Sequence, residues 1–194
     1  YTNLTEKGIM PNSSMDRNNF SFKGSHMVTD KLKVSASANY IKTYTKGRNS
    51  TGYSDNIMSS FRQWYQVNAD IKMLEDLYNK TGRNITWNRK TWDNGTPAYW
   101  DNPYWVRYQN YEDDTRNRLI SSIQLDYKIA DYLTIMGRAS IDTYDQLAEE
   151  RKAAGSVSGE FGVDRPEVTS GYSRQTFNFT ETNFDLMANF HKKL

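Results

Sequence analysis

Apolar and polar side chains alternate along three separate parts of this chain. Phe20, Phe22, Gly24, His26 and Val28 fall on one side of an extended backbone, with Asn19, Ser21, Lys23 and Ser25 on the other. After the short break Thr29-Asp30-Lys31, Leu32, Val34, Ala36, Ala38 and Tyr40 oppose Lys33, Ser35, Ser37 and Asn39. Successive strand residues point to opposite faces, so each run predicts a strand with one apolar face, and the pair predicts a hairpin. The pattern returns with Leu119, Ile123, Leu125, Tyr127 and Ile129 against Arg118, Ser122, Gln124, Asp126 and Lys128. The break Ala130-Asp131 then leads into Leu133, Ile135, Gly137, Ala139 and Ile141 against Thr134, Arg138, Ser140 and Asp142. Near the end, Phe184, Leu186, Ala188 and Phe190 alternate with polar residues, while Phe177 and Phe179 keep the opposite phase. A bulge or register change is therefore expected near Thr180–Asn183. Residues 1–17, broken by Gly8, Pro11 and Asn12, read as loop.

The runs are long and the connections unequal. Lys31–Tyr44, Thr115–Ile129 and Tyr132–Tyr144 each exceed the five or six residues usual in soluble strands and reach the ~9–11 needed to cross a bilayer at a tilt. Two connections are tight turns, whereas a loop of about 46–114 and a second of about 150–171 separate other runs. Short turns at one end of a sheet and long loops at the other describe a transmembrane barrel. Tyr40, Tyr44, Tyr127, Tyr132 and Tyr144 are expected as girdle aromatics at the lipid–water boundary. In the long loop, Ile57, Phe61, Trp64, Ile71, Leu74 and Tyr78 fall near helical spacing and predict one or two short helices within about 56–79. The fold class expected is thus all-β, a segment of a transmembrane antiparallel β-barrel. About five long strands are present, short of the eight or more with which such barrels close.

Composition sharpens this. A mean hydropathy of −0.87 excludes a helical membrane protein, yet 5 Trp, 14 Tyr and 8 Phe are too many for a disordered polar chain. Polar loops and a wet inner wall reconcile the two. A net charge of +2 with no basic block gives no footprint for nucleic acid. The absence of Cys removes thiolate chemistry and Cys-based metal sites.

Several stretches together resemble the barrel of SusC/RagA-type TonB-linked outer-membrane proteins of Bacteroidetes. They are Arg17-Asn18-Asn19-Phe20-Ser21-Phe22, the run Leu32 to Tyr40, and Asn102-Pro103-Tyr104-Trp105. Further on come Arg116-Asn117-Arg118-Leu119 leading to Leu125-Asp126-Tyr127, Asp131-Tyr132-Leu133-Thr134 with Gly137-Arg138, and Asp142 before Tyr144. The resemblance implies that residues 1–194 are part of one barrel domain in the bacterial outer membrane, without the family's plug domain or its barrel-closing C-terminal strand. It implies import of a nutrient such as an oligosaccharide or peptide. Its partners would be a SusD-like surface lipoprotein, the TonB complex acting through other parts of the parent protein, and outer-membrane lipid. A soluble or surface all-β carbohydrate-binding domain is the alternative. It requires the apolar faces to be buried against a second sheet of the same chain.

Candidate chemistry concentrates in the long loop. Trp87, Trp92, Tyr99, Trp100, Tyr104 and Trp105 can stack on sugar rings, and Asp101, Asn102 and Arg107 can hydrogen-bond beside them. The competing reading is that these aromatics form the small core of an ordered loop. The acid pairs Asp113-Asp114 and Glu149-Glu150 are expected as solvated rim charges, since neighbours on a strand face opposite ways. No catalytic residue, cofactor or metal site is assigned, and an enzyme is not expected: His26 and His191 lack metal-ligand spacing, and Gly155–Gly159 precedes no Lys-Ser/Thr.

Overall fold

The protein is described by a computed structural model covering residues 1–48, 56–59, 64–162 and 164–191. It is an all-β molecule. A six-stranded antiparallel sheet has the order β1 (Thr2–Lys7), β2 (Ser14–Met27), β3 (Leu32–Lys46), β4 (Tyr111–Ala130), β5 (Leu133–Lys152) and β8 (Gly171–Phe190). A separate two-stranded pair is formed by β6 (Gly159–Glu160) and β7 (Glu167–Val168). Two helices, α1 (Ile71–Thr81) and α2 (Pro103–Gln109), lie in the connection from β3 to β4. Part of the stretch expected to be helical within 56–79 lies outside the described residues; residues 57–59 are helical.

Register turns the alternating runs into one surface. Leu32, Tyr127, Ile135 and Ala188 stand side by side across β3, β4, β5 and β8. Successive rows are Val34–Leu125–Gly137–Leu186, Ala36–Ile123–Ala139–Phe184 and Ala38–Ser121–Ile141–Thr182, continued on β2 by His26, Gly24 and Phe22, with Phe20 beside Tyr40 in the row after. Above Tyr40–Leu119–Thr143, the next row is Lys42–Asn117–Asp145–Asn178, so the apolar band stops there. The band is about nine residues tall. At ~3.3 Å per residue that is roughly 30 Å along a strand. It is bare: Phe184 is 80% and Leu186 84% exposed.

The opposite face is polar and internally paired. Arg118 donates to Asp142 (Nε to Oδ1, 2.8 Å), Arg138 pairs with Asp185 at 2.8 Å, and Ser37 and Ser122 share a hydrogen bond of 2.8 Å. Such cross-strand pairs hold register on a wet surface.

Four expectations are corrected. Residues 1–17 are not simply loop: Thr2–Lys7 pairs with Ser14–Asn19, and Gly8, Pro11 and Asn12 form only the turn between the two. Backbone pairing needs no apolar alternation, and every residue of β1 is exposed. Second, β8 holds one unbroken register with β5 from Gly171 to Phe190, with no bulge near Thr180–Asn183. Phe177 and Phe179 simply occupy the polar face, where Phe179 stacks on Tyr144 at 5.2 Å. Third, Tyr144 is therefore no girdle residue; Arg116 lies over its ring at 4.9 Å on that same polar face. Fourth, Asp114 is buried rather than solvated, because Arg48 Nε reaches its Oδ1 at 2.8 Å.

Candidate ligand-binding cleft

The long connection is built on two capped helices. In α1, the Asp70 carboxylate accepts from the backbone N–H groups of Lys72 and Met73, and Gly82, in the left-handed region, returns its N–H to the Tyr78 carbonyl at 2.7 Å. Leu74 is its buried residue. In α2, Asn102 caps the N-terminus, with Pro103 in the first turn where no N–H is needed.

Asn102 is 0% exposed. Its amide donates to the carbonyls of Leu74 (2.9 Å) and Ile85 (2.8 Å), and its oxygen accepts from Tyr104 N–H at 2.8 Å. It joins α1, α2 and the chain between them. Arg107, further along α2, donates Nε to the Pro11 carbonyl at 3.0 Å and one Nη to the Gly47 carbonyl at 2.5 Å, while Asn12 donates to the Arg107 carbonyl at 2.9 Å. Gly47 has φ of 63°, and a Cβ there would stand 2.0 Å from the Asn12 carbonyl oxygen. Only glycine lets the end of β3 approach the β1–β2 turn so closely.

The second loop docks on the first. Trp105 Nε1 donates to Ser156 Oγ at 2.9 Å, Asn110 accepts from Ala153 N–H at 2.8 Å, and Asp101 accepts from Val157 N–H at 2.8 Å and from Asn84 at 2.6 Å. These contacts enclose a cleft of about 490 Å³ over the loop-side ends of β4 and β5. One wall is aromatic, with Tyr65, Trp87, Tyr99 and Trp100. Tyr65 stacks on Trp87 at 4.1 Å and Trp64 on Trp100 at 5.7 Å, which fixes the rings. The floor is charged, with Arg48, Arg107, Glu112, Glu150 and Lys152.

Burial shapes the ionisation of this region. It raises the Tyr65 hydroxyl above the ordinary phenol value, with Tyr104 adding to the shift. Tyr104 is raised by burial and by Glu75, which faces it. Burial lowers Arg107 from the usual guanidinium value. Glu112, beyond the apolar band, is raised by burial and then by Glu150, which stands directly opposite; Arg48 opposes that rise.

Of the residues proposed from sequence as ligand contacts, Trp87, Tyr99, Trp100, Asp101 and Arg107 line this cleft. Trp92, Asn102, Tyr104 and Trp105 do not. Trp92 is 88% exposed in the turn of a small excursion closed by the Arg89–Pro97 bridge. Asn102 and Trp105 hold the loops together as just described, which is the ordered-loop role. Arg48, Glu112, Glu150 and Lys152 were not expected as ligand contacts: strand register carries Glu112, Glu150 and Lys152 to the cleft, and Arg48, just past β3, is held there by Asp114 and the Glu112 carbonyl. No family model matches this chain, and comparison with curated proteins finds no match.

Proposed function

We propose that this chain forms part of the wall of a transmembrane β-barrel in the bacterial outer membrane, of the SusC/RagA TonB-linked kind that its sequence resembles. In this reading its loops contact an imported nutrient. The observation that carries the proposal is the apolar band, in register across five strands and backed by a polar, ion-paired face. At the ~40° strand tilt of outer-membrane barrels its nine residues would span roughly 23 Å, close to the ~25 Å lipid-facing band of such barrels. Short turns close one end of the sheet, and both long connections leave from the other. A sandwich would need a second sheet over the band; among the described residues the only other sheet is β6–β7, next to the cleft. The outer edges of β1 and β8 have no strand partner among the described residues. Bare backbone in lipid costs several kcal/mol per group, so further strands would complete the wall. By the resemblance, a SusD-like lipoprotein would cap the loop side and TonB would drive transport through other parts of the parent protein.

The two faces give the test. Ala139 lies at the middle of the band and Ser140 beside it on the polar face, opposite Ser122 and Asn183. In the full-length protein folding into lipid vesicles, Ala139→Arg should cost about 2–4 kcal/mol, the range for a cation facing lipid at mid-depth. Ser140→Arg should cost far less. Equal costs, or the reverse order, would contradict the proposed orientation.

A further inference from the structure

Two buried cations of the cleft have no carboxylate partner among the described residues. Arg107 is 5% exposed; Nε and one Nη are committed to carbonyl oxygens, and its remaining nitrogen has no hydrogen-bond partner among the described residues. Lys152 is 7% exposed at the end of β5, with neither hydrogen bond nor ion pair among the described residues. Several other charges around the cleft are answered, although Glu150 and Glu167 have no ion pair among the described residues. Arg48 pairs with Asp114 and approaches Glu112 at 4.0 Å, Arg165 is 3.4 Å from Glu160, and Asp101 accepts from Asn84 and Val157. Glu150, on the same face of β5 as Lys152, lies opposite Glu112 rather than within ion-pair distance of the lysine. Neither unpartnered nitrogen is sealed from solvent, so a ligand carboxylate entering the cleft can take the place of water there with a charge-assisted hydrogen bond.

The geometry points to an acidic saccharide as the ligand of this cleft, its carboxylate reaching Arg107 and Lys152 and its rings lying against the Trp87, Tyr99 and Trp100 wall. A volume of about 490 Å³ is within the ordinary range for small-molecule sites. Aromatic walls suit the apolar C–H faces of sugar rings. An extended acidic peptide is the poorer fit: peptides gain affinity by adding a strand to a free edge, β4 and β5 are paired on both sides, and the open edges of β6 and β7 beside the cleft are only two residues long. The inference rests on the loops being the ligand-contacting surface, and it adds the charge class of the ligand.

The experiment is calorimetric titration of the full-length protein in detergent with trigalacturonate, its trimethyl ester and triglutamate. Trigalacturonate should bind at least about tenfold tighter than the ester, the size expected for a hydrogen-bonded charge pair. Lys152→Gln should lower that ratio severalfold, and Lys152→Arg should restore it; thermal melts of each variant report folding separately. Equal affinity for acid and ester, no binding of the acid, or a ratio indifferent to Lys152→Gln overturns the inference. Binding of triglutamate alone would overturn it in favour of an acidic peptide. Lipid exposure of the band is read independently, so a failed titration leaves the wall proposal standing, and a failed wall proposal leaves the titration interpretable.

Discussion

Asn102 shows how a residue that looks chemical can be architectural. Its amide and carbonyl serve three backbone groups from α1, α2 and residue 85, the bond to Leu74 buried and the other two partly so. Replacing it with Ala leaves the Leu74 and Ile85 carbonyls without their donor and the first turn of α2 without its cap. Each stranded buried group costs about 1–3 kcal/mol, and the cap about 0.5–2. Asn102→Ala should therefore raise amide hydrogen exchange through residues 71–110 by several kcal/mol of lost protection, with β4 and β5 unchanged. Asn102→Asp should fare no better, because it turns a carboxylate oxygen toward two carbonyls. Unaltered exchange in the loop would contradict this role. The same residue explains why part of the site was illegible beforehand. An Asn before Pro103 beside four aromatics carries the same composition whether it meets a ligand or a backbone, and only the positions of Leu74 and Ile85 decide.

Strands were legible where one face is apolar and illegible where both are polar. The runs at 20–28, 32–40, 119–129, 133–141 and 184–190 fall in strands, Val28 excepted, because a face set against an apolar environment selects alternation. β1 and the loop-side ends of β4 and β5 carry polar residues on both faces, so backbone pairing extends them without a sequence signal. That extension brings Glu112 opposite Glu150 and carries Lys152 to the cleft. Because Glu112 is raised by burial and by Glu150, its folded pKa lies above the unfolded one. Folding then favours its protonated form: stability is lowest above the folded pKa and increases as pH falls through it, the gain being complete below the unfolded value. Thermal melts across that window should show Glu112→Gln more stable than wild type at neutral pH, the difference closing in acid. A difference that is constant with pH would contradict the assignment.

At the scale of the whole molecule, one sheet presents two environments at once. The row Ser37–Ser122–Ser140–Asn183 lies on one face and Ala36–Ile123–Ala139–Phe184 on the other, at the same height. A polar average and a heavy aromatic load are reconciled in this way: Phe20, Phe22, Tyr40, Tyr127 and Phe184 join the band, Trp87 and Trp100 line the cleft, and polar residues dominate the second face and the loops. Exposed apolar surface of this extent marks a contact with lipid or protein rather than with water. Its continuity across neighbouring strands, and its sharp upper limit at Lys42–Asn117–Asp145, favour lipid. The most direct measurement is site-directed spin labelling of the full-length protein in lipid vesicles, with single labels at Ile123, Ala139, Ser122 and Ser140. The account predicts that labels at Ile123 and Ala139 relax with oxygen and are shielded from a water-soluble nickel chelate, while those at Ser122 and Ser140 show the reverse preference. Chelate access equal on both faces, or labels at Ile123 and Ala139 shielded from oxygen and chelate alike, would contradict it.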